Sequence, residues 1–313
     1  MSDSKWTAND MPDLSGRTAV VTGGNSGIGY EAALALAARR ARVVLACRDA
    51  VRGAAAAAAI AKAHPDAEVE AAALDLASLD SIRRFSREFD ERHARLDLLC
   101  NNAGVMALPY ARTQDGFEMQ FGTNHLGHFA LTGLLLAKLL ATAGSRVVTV
   151  SSTAHKAGRM RFDDLSSKRS YGRWSAYAQS KLANLLFAFE LQRRLAARGA
   201  ETISVACHPG YAATNLQSAA ARIEGSAFME SVWNAANRIF AQSTAMGALP
   251  TLYAATAPDV RGGDYIGPDT FLESWGHPRK VEPRAAARDA AAAARLWEAS
   301  ETMTGVRYES LAG

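Results

Sequence analysis

The sequence predicts an α/β fold, a doubly wound and mostly parallel sheet with helices on both faces. Short β-branched runs alternate with longer segments of helical periodicity, which is typical of a parallel sheet with crossover helices. A glycine-rich turn follows the first run and opens the first helical segment. No Pro/Ser-rich linker or block of charge divides the 313 residues, and 49% of them are hydrophobic, which suffices for a core. We therefore expect a single domain over residues 1–313.

The elements follow in order from the apolar runs and the helical periodicity. Seven strands are predicted, at Arg17–Thr22, Arg42–Cys47, Val69–Leu74, Leu96–Asn101, Arg146–Ser151, Thr202–Cys207 and the shorter Asp264–Ile266. Six helices are predicted, at about Gly27–Arg39, Val51–Ala63, Ser78–His93, Asp115–Ala141, Ala176–Arg198 and Thr244–Ala255. The tract Ala285–Ala294 favours a further helix, because alanine is the best helix former, so we expect a helical extension over about residues 268–313.

The composition argues against several classes of protein. The net charge of +4 comes from scattered arginines and not from a basic stripe, so nucleic-acid binding is not indicated. Cys47, Cys100 and Cys207 are odd in number and widely spaced, which favours free thiols in a reducing compartment. Nothing resembles a signal peptide, and no run of about 18 apolar residues is present. We expect a cytoplasmic protein without a stable membrane anchor.

The glycine-rich turn reads Thr22-Gly23-Gly24-Asn25-Ser26-Gly27-Ile28-Gly29. Glycines here allow a tight turn, close approach of the backbone to a pyrophosphate and close packing of the helix on the strand. The N-terminus of the helix offers free N–H groups and the positive end of its dipole to phosphates. A βα turn without a ligand is the alternative. The predicted dinucleotide contacts are Gly23, Asn25, Ser26, Gly27, Ile28 and Gly29.

Tyr177 and Lys181 lie four residues apart at the start of a helical segment, and Ser151-Ser152 ends a predicted strand upstream. Residues at this spacing share one face of a helix, so the ammonium group can approach the phenol. A nearby cation lowers the pKa of a phenol from about 10 by favouring the phenolate. The pair therefore predicts a tyrosine that exchanges protons near neutral pH. An exposed helix pair without a function is the alternative.

The order of the motifs resembles that of the short-chain dehydrogenase/reductase superfamily over roughly residues 14 to 270. The matching motifs are the glycine-rich turn, Asp75-Leu76, Asn101-Asn102-Ala103-Gly104, Asn124, Ser151-Ser152, Tyr177 with Lys181, and Pro209-Gly210. The resemblance implies a Rossmann-type fold and an oxidoreductase that interconverts an alcohol and a carbonyl group by hydride transfer with a nicotinamide cofactor.

The resemblance also implies catalytic roles for four side chains. Ser152 would hold the substrate oxygen, and Tyr177 would exchange a proton with it. Lys181 would lower the pKa of Tyr177 and bind the nicotinamide ribose, while Asn124 would maintain a water relay.

Further cofactor contacts are implied by the same resemblance. They are Asp75 and Leu76 at the adenine, Asn102, Ala103 and Gly104 beside the ribose, and Pro209, Gly210 and Thr214 on the nicotinamide side. Asp75 has an alternative role as a helix N-cap, although Ser78 is better placed for it.

The end of the second strand bears on the choice of cofactor. A carboxylate there would accept the ribose 2′-hydroxyl of NAD(H), but this chain has Cys47-Arg48-Asp49. Arg48 is placed to pair with a 2′-phosphate, since guanidinium–phosphate bonds are bidentate and strong. Asp49 keeps NAD(H) open, although it also suits a helix N-cap. We favour NADP(H).

Two features narrow the resemblance to retinol dehydrogenase-like and protochlorophyllide reductase-like members. The run Asn124-His125-Leu126-Gly127-His128-Phe129 looks like that of the first group, and the 25-residue spacing from Ser152 to Tyr177 is similar in both. His125 and His128 are three residues apart, yet no Cys or Glu pattern accompanies them, so helix packing is expected and no metal site.

The segment of about residues 216–245 bears on the substrate. Its apolar residues recur at helical spacing with polar residues on the other face, which predicts an amphipathic helix. The family places a substrate lid here, so a small lipophilic alcohol, aldehyde or ketone is expected. Packing on the body, or a contact in a homodimer or homotetramer, is the alternative.

Two other functions are compatible with these motifs. One is a non-catalytic nucleotide-binding regulatory or scaffold protein on the same fold, and the other is a C=C reductase of the protochlorophyllide type. The presence together of Asn124, Ser152, Tyr177 and Lys181 favours an enzyme, because a binding protein needs no proton relay.

Overall fold

The computed structural model describes residues 5–210 and 243–311, and its centre is an eight-stranded sheet with the order β3-β2-β1-β4-β5-β6-β7-β8. The strands are β1 Thr18–Thr22, β2 Arg42–Cys47, β3 Val69–Ala73, β4 Leu98–Asn101, β5 Arg146–Val150, β6 Ile203–Cys207, β7 Tyr265–Pro268 and β8 Pro278–Lys280. Neighbours pair in parallel, except that β8 runs antiparallel to β7. The α/β class and the seven predicted strands are confirmed, and β8 is an additional strand.

The longer helices lie between these strands as predicted, except the last of them, which follows β8. They are α1 Gly27–Ala38, α2 Ala50–Ala63, α3 Leu79–Arg92, the short α4 Met119–Phe121, α5 Gly127–Leu140, α6 Arg173–Ala197, α7 Thr244–Thr256 and α8 Ala290–Thr304. The predicted helix Asp115–Ala141 begins later than expected, because Thr113 and Phe117 close a turn and the Glu118 carboxylate caps α4. A π-helical turn, Gly122–Leu126, then joins α4 to α5.

The core has two halves, one on each face of the sheet. Alternate strand residues point to opposite faces. In β1, Ala19 and Val21 pack with α1, α2 and α7, whereas Val20 packs with α3, α5 and α6. The strand order changes direction between β1 and β4, and the carboxyl ends of parallel strands form the ligand crevice at such a point. The fold therefore predicts a site at the ends of β1, β4 and β5.

Helix α8 and the residues after it cover the outer side of α5 and α6. Trp297 lies edge-on to Phe129, with ring centroids 5.2 Å apart, and stacks near Phe187 at 5.9 Å. Tyr308 packs on Trp297 at 4.4 Å and donates a hydrogen bond to Phe129 O. The predicted extension over residues 268–313 thus contains a helix, but it also contains β8.

The remaining predictions concern the cysteines, the amphipathic segment and the membrane, and some of them fall on residues that the structure does not describe. Cys47, Cys100 and Cys207 are buried free thiols, as expected. The amphipathic segment falls largely on residues 216–242 and lies outside the described residues, as does Thr214. No helix within residues 5–210 and 243–311 is both long and apolar enough to cross a membrane.

Candidate functional site

The glycine-rich turn leaves the N-terminus of α1 open. Gly23 takes a left-handed conformation at the end of β1 (φ +66°), and α1 begins at Gly27 after the extended residue Ser26. Within the described part of the chain, the Ser26 side chain makes no capping hydrogen bond to the first turn of α1. The free N–H groups and the helix dipole therefore remain available to an anion. This arrangement fits the pyrophosphate of a dinucleotide.

Gly29 is required by the close approach of α1 to the ends of β1 and β4. A Cβ atom at this position would lie 2.5 Å from Gly23 O and 2.5 Å from Asn102 Nδ2. Asn102 Nδ2 donates a hydrogen bond to Thr22 O, and the backbone N–H groups of Asn102 and Ala103 donate to Thr22 Oγ1. The predicted Asn102-Ala103 pair therefore braces the glycine turn.

Substituting Gly29 with alanine is expected to weaken nicotinamide dinucleotide binding at least tenfold. The added methyl group must push Gly23 or Asn102 away, and this moves the N–H groups that would face the pyrophosphate, at about 1–3 kcal/mol for each hydrogen bond lost. Fluorescence titration with NADPH measures the change. Gly144→Ala is the control for a general loss of stability, because its positive φ (+69°) strains an alanine while its Cβ would meet open space far from any predicted contact. Equal affinities for Gly29→Ala and Gly144→Ala would contradict the proposed dinucleotide site.

Arg48 and Asp49 follow β2 and have different roles in the structure. The Asp49 carboxylate accepts a hydrogen bond from Arg52 N and caps α2. Arg48 is exposed and makes no hydrogen bond or ion pair with any other described residue. The cap is therefore one of the two roles that the sequence allowed for Asp49, and the guanidinium group of Arg48 remains accessible to a ligand.

Two of the predicted cofactor contacts, Asp75 and Leu76, follow the end of β3. Asp75 accepts a hydrogen bond from Ala77 N, while Ser78 is the residue that caps α3. The N-cap alternative for Asp75 is thus excluded, and its half-buried carboxyl group lies at the strand end as predicted. The buried Leu76 packs closely against α5, since a Cβ at Gly127 would lie 2.5 Å from Leu76 O.

Asn124 lies in the middle of the π-helical turn, and its amide group is fully engaged. Its Oδ1 accepts from Val105 N at 2.8 Å, and its Nδ2 donates to Val105 O and to Ser180 Oγ, both at 2.9 Å. Ser180 precedes Lys181 on α6. A π-helical turn in a longer helix is frequent at functional sites. Asn124 therefore connects the loop after β4 to the part of α6 that carries Lys181.

His128 connects this turn to the glycine turn. Its Nδ1 donates to Asn124 O at 2.9 Å, which leaves Nε2 as an acceptor for the Thr22 hydroxyl, also at 2.9 Å. Burial lowers the pKa of His128 to about 4 and that of His125 to about 3, so both rings are neutral near pH 7. Among the described residues no group of three or more His, Cys, Asp or Glu side chains could hold a metal ion.

Ser152, Tyr177 and Lys181 converge at the end of β5. Only 7% of Tyr177 is exposed, and the Ser152 side chain is near enough to its phenol to lower the pKa of Tyr177. The Lys181 Nζ donates to Val150 O at 3.1 Å and lies 5.8 Å from the centroid of the Tyr177 ring. A Cβ at Gly104 would lie 3.6 Å from Lys181 Nζ. The structure therefore brings the predicted serine, tyrosine and lysine together beside the loop after β4.

The expected lowering of the Tyr177 pKa is wrong for this structure. Burial raises the pKa of Tyr177 to about 12, and the nearby Ser152 side chain only partly opposes this rise. Burial also lowers the pKa of Lys181 to about 8. Lys181 has no large effect on the phenol because its ammonium group is directed to Val150 O. The phenol is therefore protonated near neutral pH, and the lysine titrates within reach of it.

Pro209 and Gly210 follow β6 on the same side of the sheet. Gly210 has φ +69°, and its N–H donates to His208 Nδ1 at 3.2 Å. Two histidines near the site, His155 and His208, were not predicted from the sequence as site residues. His155 Nδ1 donates a hydrogen bond to Ser152 O at 2.7 Å. Both stand within three residues of a predicted site residue, and this proximity was the available signal.

A dinucleotide-binding crevice that contains a half-buried serine beside a buried tyrosine and a buried lysine defines a class of nicotinamide-dependent oxidoreductases. The short chain dehydrogenase family model matches residues 17–224. This chain therefore belongs to the short chain dehydrogenase family, and it is an oxidoreductase that interconverts alcohols and carbonyl compounds with a nicotinamide dinucleotide.

Several known proteins are similar over most of their length. Human retinol dehydrogenase 13 is 43% identical over 299 residues, which are 95% of this chain and 87% of that protein. Human retinol dehydrogenase 11 is 42% identical over 303 residues, 97% of this chain and 90% of that protein. The retinol dehydrogenase-like resemblance is thus confirmed.

Solved structures agree with the fold. An uncharacterized protein from Mycobacterium paratuberculosis is 44% identical, with a TM-score of 0.81, and the match covers 97% of this chain and 99% of that one. The NADP active-site complex of RhlG from Pseudomonas aeruginosa is 25% identical, with a TM-score of 0.62, over 81% of this chain and 94% of that one.

Proposed function

We propose that this chain is an NADP(H)-dependent oxidoreductase that interconverts an alcohol and a carbonyl group on a small lipophilic substrate, with Tyr177 as general acid and base. The observation that supports it most strongly is the convergence of Ser152, Tyr177 and Lys181 at the end of β5. These groups lie on the side of the sheet where the glycine turn presents the N-terminus of α1.

The residues divide the work as follows. The nicotinamide, when bound, supplies the hydride chemistry. Ser152 donates a hydrogen bond to the substrate oxygen and stabilises its developing negative charge. Tyr177 donates its phenolic proton to that oxygen in reduction and removes a proton in oxidation. The protonated phenol that reduction requires is the form that burial favours.

Lys181 replaces the proton that Tyr177 gives up, and Asn124 supports this step. The Lys181 ammonium group has a pKa of about 8, so it can donate and regain a proton near neutral pH. Asn124 holds Ser180, whose hydroxyl also bonds to Tyr177 O, and so fixes the turn of α6 that carries both groups. In our proposal Asn124 maintains the relay of water molecules through which protons pass between Lys181 and solvent.

The lipophilic substrate is supported by aromatic surface beside Tyr177. Trp174 lies edge-on to the Tyr177 ring, with centroids 6.4 Å apart, and 52% of it is exposed. An apolar group of a substrate would bury this surface when its oxygen reaches Tyr177. Retinol dehydrogenases among the relatives agree with such a substrate.

An absorbance assay at 340 nm tests the proposed function. Purified protein is mixed with NADPH or NADH and a panel of aldehydes and ketones, and with NADP⁺ or NAD⁺ and alcohols. We expect turnover of apolar carbonyl compounds with NADPH. Tight cofactor binding without turnover would instead support a non-catalytic nucleotide-binding protein, and turnover of conjugated alkenes alone would support a C=C reductase.

The preference for NADP(H) depends on Arg48. We expect Arg48→Ala to weaken NADPH binding by ~1.5–3 kcal/mol, the range for hydrogen bonds to charged groups. NADH binding should hardly change, because NADH has no 2′-phosphate. This corresponds to a roughly tenfold to hundredfold loss of NADPH preference. Fluorescence titration of both cofactors measures it.

Arg52→Ala is the matched control for Arg48→Ala. Arg52 is a nearby exposed arginine whose guanidinium group lies 3.8 Å from the Asp49 carboxylate. Removing this charge should affect NADPH binding much less than removing Arg48. Tighter binding of NADH than of NADPH by the wild-type protein would make Asp49 the ribose ligand and refute the role of Arg48.

A further inference from the structure

A cluster of charged and polar side chains lies below the loops that follow β5 and β6. We call Lys156, His208 and Glu273 the Glu273 cluster. Glu273 Oε1 lies 3.2 Å from Lys156 Nζ, and Glu273 Oε2 lies 3.0 Å from His208 Nε2. Both atoms are buried, and among the described residues neither takes part in a hydrogen bond of regular geometry, so the close approach of Nε2 and Oε2 is the polar contact that each makes. His208 is fully buried and 15% of the Glu273 side chain is exposed.

The hydrogen bond that His208 accepts from Gly210 fixes its tautomer. Its Nδ1 accepts from Gly210 N at 3.2 Å, so its proton is on Nε2 and faces Glu273. Burial lowers the pKa of His208, and the close contact with His208 lowers the pKa of Glu273 to about 2. The pair near neutral pH is therefore a neutral imidazole that bridges a carboxylate and the N–H of Gly210.

The other arm of Glu273 reaches the turn that follows Ser152. Lys156 lies in the 3-10 turn Thr153–Ala157, and Ser152 Oγ caps this turn by accepting from Ala154 N at 3.2 Å. The ion pair with Lys156 therefore holds Glu273 to the turn that begins at Ser152. One carboxylate thus contacts both loops that flank the proposed reaction centre.

The backbone around Glu273 shows that its position is imposed. Leu272 and Glu273 are consecutive non-glycine residues with positive φ, +59° and +55°. Such conformations cost free energy and persist only where the surroundings determine them, often at functional sites. A Cβ at Gly210 would collide with Ser274 O, and one at Gly267 would collide with His208 Nε2. The strained segment is thus packed directly against the Gly210 turn, and the imidazole is packed against Gly267 of β7.

We propose that Glu273 is a positioning residue that sets the Gly210 turn through His208 and the Ser152 turn through Lys156. Its two arms fix the distance between the hydroxyl that holds the substrate oxygen and the turn that packs beside the nicotinamide. This inference rests on the proposed function of Ser152 and Gly210. It adds three residues that act on the reaction without touching the reacting atoms.

Glu273→Gln tests the proposal, because glutamine has the same shape but offers only one acceptor oxygen and no charge. We expect kcat to fall about tenfold to hundredfold, since a misplacement of about 1 Å at a reaction centre can cost about 10²-fold. NADPH binding should weaken about threefold to tenfold, the range that one displaced hydrogen bond is worth. KM for the carbonyl substrate and the thermal unfolding midpoint should change little.

Two further variants separate positioning from general stability. His208→Asn keeps an acceptor near Gly210 N but cannot reach Glu273, so it should lower kcat as Glu273→Gln does. The double variant should be no worse than either single variant, because the two groups act as a unit. Glu282→Gln is the control, since Glu282 pairs with Arg288 at 3.5 Å and its side chain is 85% exposed.

The outcomes distinguish this proposal from the proposed function. NADPH affinity is measured without turnover, so a wild-type protein that binds NADPH but reduces no substrate refutes the proposed function and leaves the effect on Gly210 measurable. Values of kcat and NADPH affinity within twofold of wild type for both Glu273→Gln and His208→Asn would overturn the positioning role. Additive losses in the double variant would overturn the coupling through His208.

Discussion

Tyr177→Phe is expected to reduce kcat about 10²–10⁴-fold, which is the usual contribution of general acid–base catalysis. The substitution removes only the phenolic oxygen, and the aromatic ring that packs near Trp174 is retained. Cofactor affinity should therefore stay within about threefold of wild type, because the loss of binding free energy should be smaller than that of one hydrogen bond. Steady-state kinetics with any accepted carbonyl compound, together with NADPH titration, measures both quantities.

Tyr171→Phe is the matched control for this substitution. The Tyr171 hydroxyl donates to Leu108 O at 2.6 Å and accepts from Gln120 Nε2 at 2.9 Å, so it stabilises a loop and does not face Ser152. Its loss should lower stability by about 1 kcal/mol and leave kcat nearly unchanged. A wild-type rate for Tyr177→Phe would refute the assignment of the proton donor.

Trp297→Ala is expected to lower the free energy of unfolding by about 3–5 kcal/mol, the range for removing a large aromatic side chain from a core. Only 2% of Trp297 is exposed, and it contacts aromatic rings from α5, α6 and the residues after α8. The Arg194 guanidinium also lies over its ring, 4.3 Å from the centroid. Urea unfolding followed by circular dichroism measures the loss.

Trp297→Phe separates the loss of packing from the loss of the indole hydrogen bond. It keeps most of the aromatic contacts and removes the bond from Trp297 Nε1 to Glu301 Oε1. Its cost should be clearly smaller than that of Trp297→Ala. A loss below about 1 kcal/mol for Trp297→Ala would mean that the neighbouring rings close the cavity, contrary to the packing seen here.

The sequence predicts the sheet well because each buried strand has a short apolar run with a turn signal at its end. Strand β8 was not predicted, since Pro278, Arg279 and Lys280 show neither β-branching nor alternation. Its pairing comes from β7 and not from its own residues. Local patterns thus predict the elements that form their own core contacts, and miss the one that tertiary contacts impose.

In the candidate site, too, local patterns predict some features and miss those that depend on tertiary packing. Motif spacing predicts Ser152, Tyr177 and Lys181 as neighbours, because the strand ends and one helix face bring them together. It gives the wrong direction for the Tyr177 pKa, since the extent of burial depends on the packing of the whole chain. It also gives no sign of Glu273, whose left-handed backbone would be expected at a glycine or asparagine.

The π-helical turn Gly122–Leu126 holds one residue more than a regular α-helix would need over the same length. It therefore acts as a single-residue insertion that is tolerated inside a helix. If the same residues formed a regular α-helix instead, the extra residue would turn the rest of α5 by about 100°, the rotation per residue of an α-helix. His128 would leave Thr22, and Phe129 would leave Tyr308. The wide turn thus accommodates the extra residue and keeps His128 and Phe129 in contact with their partners.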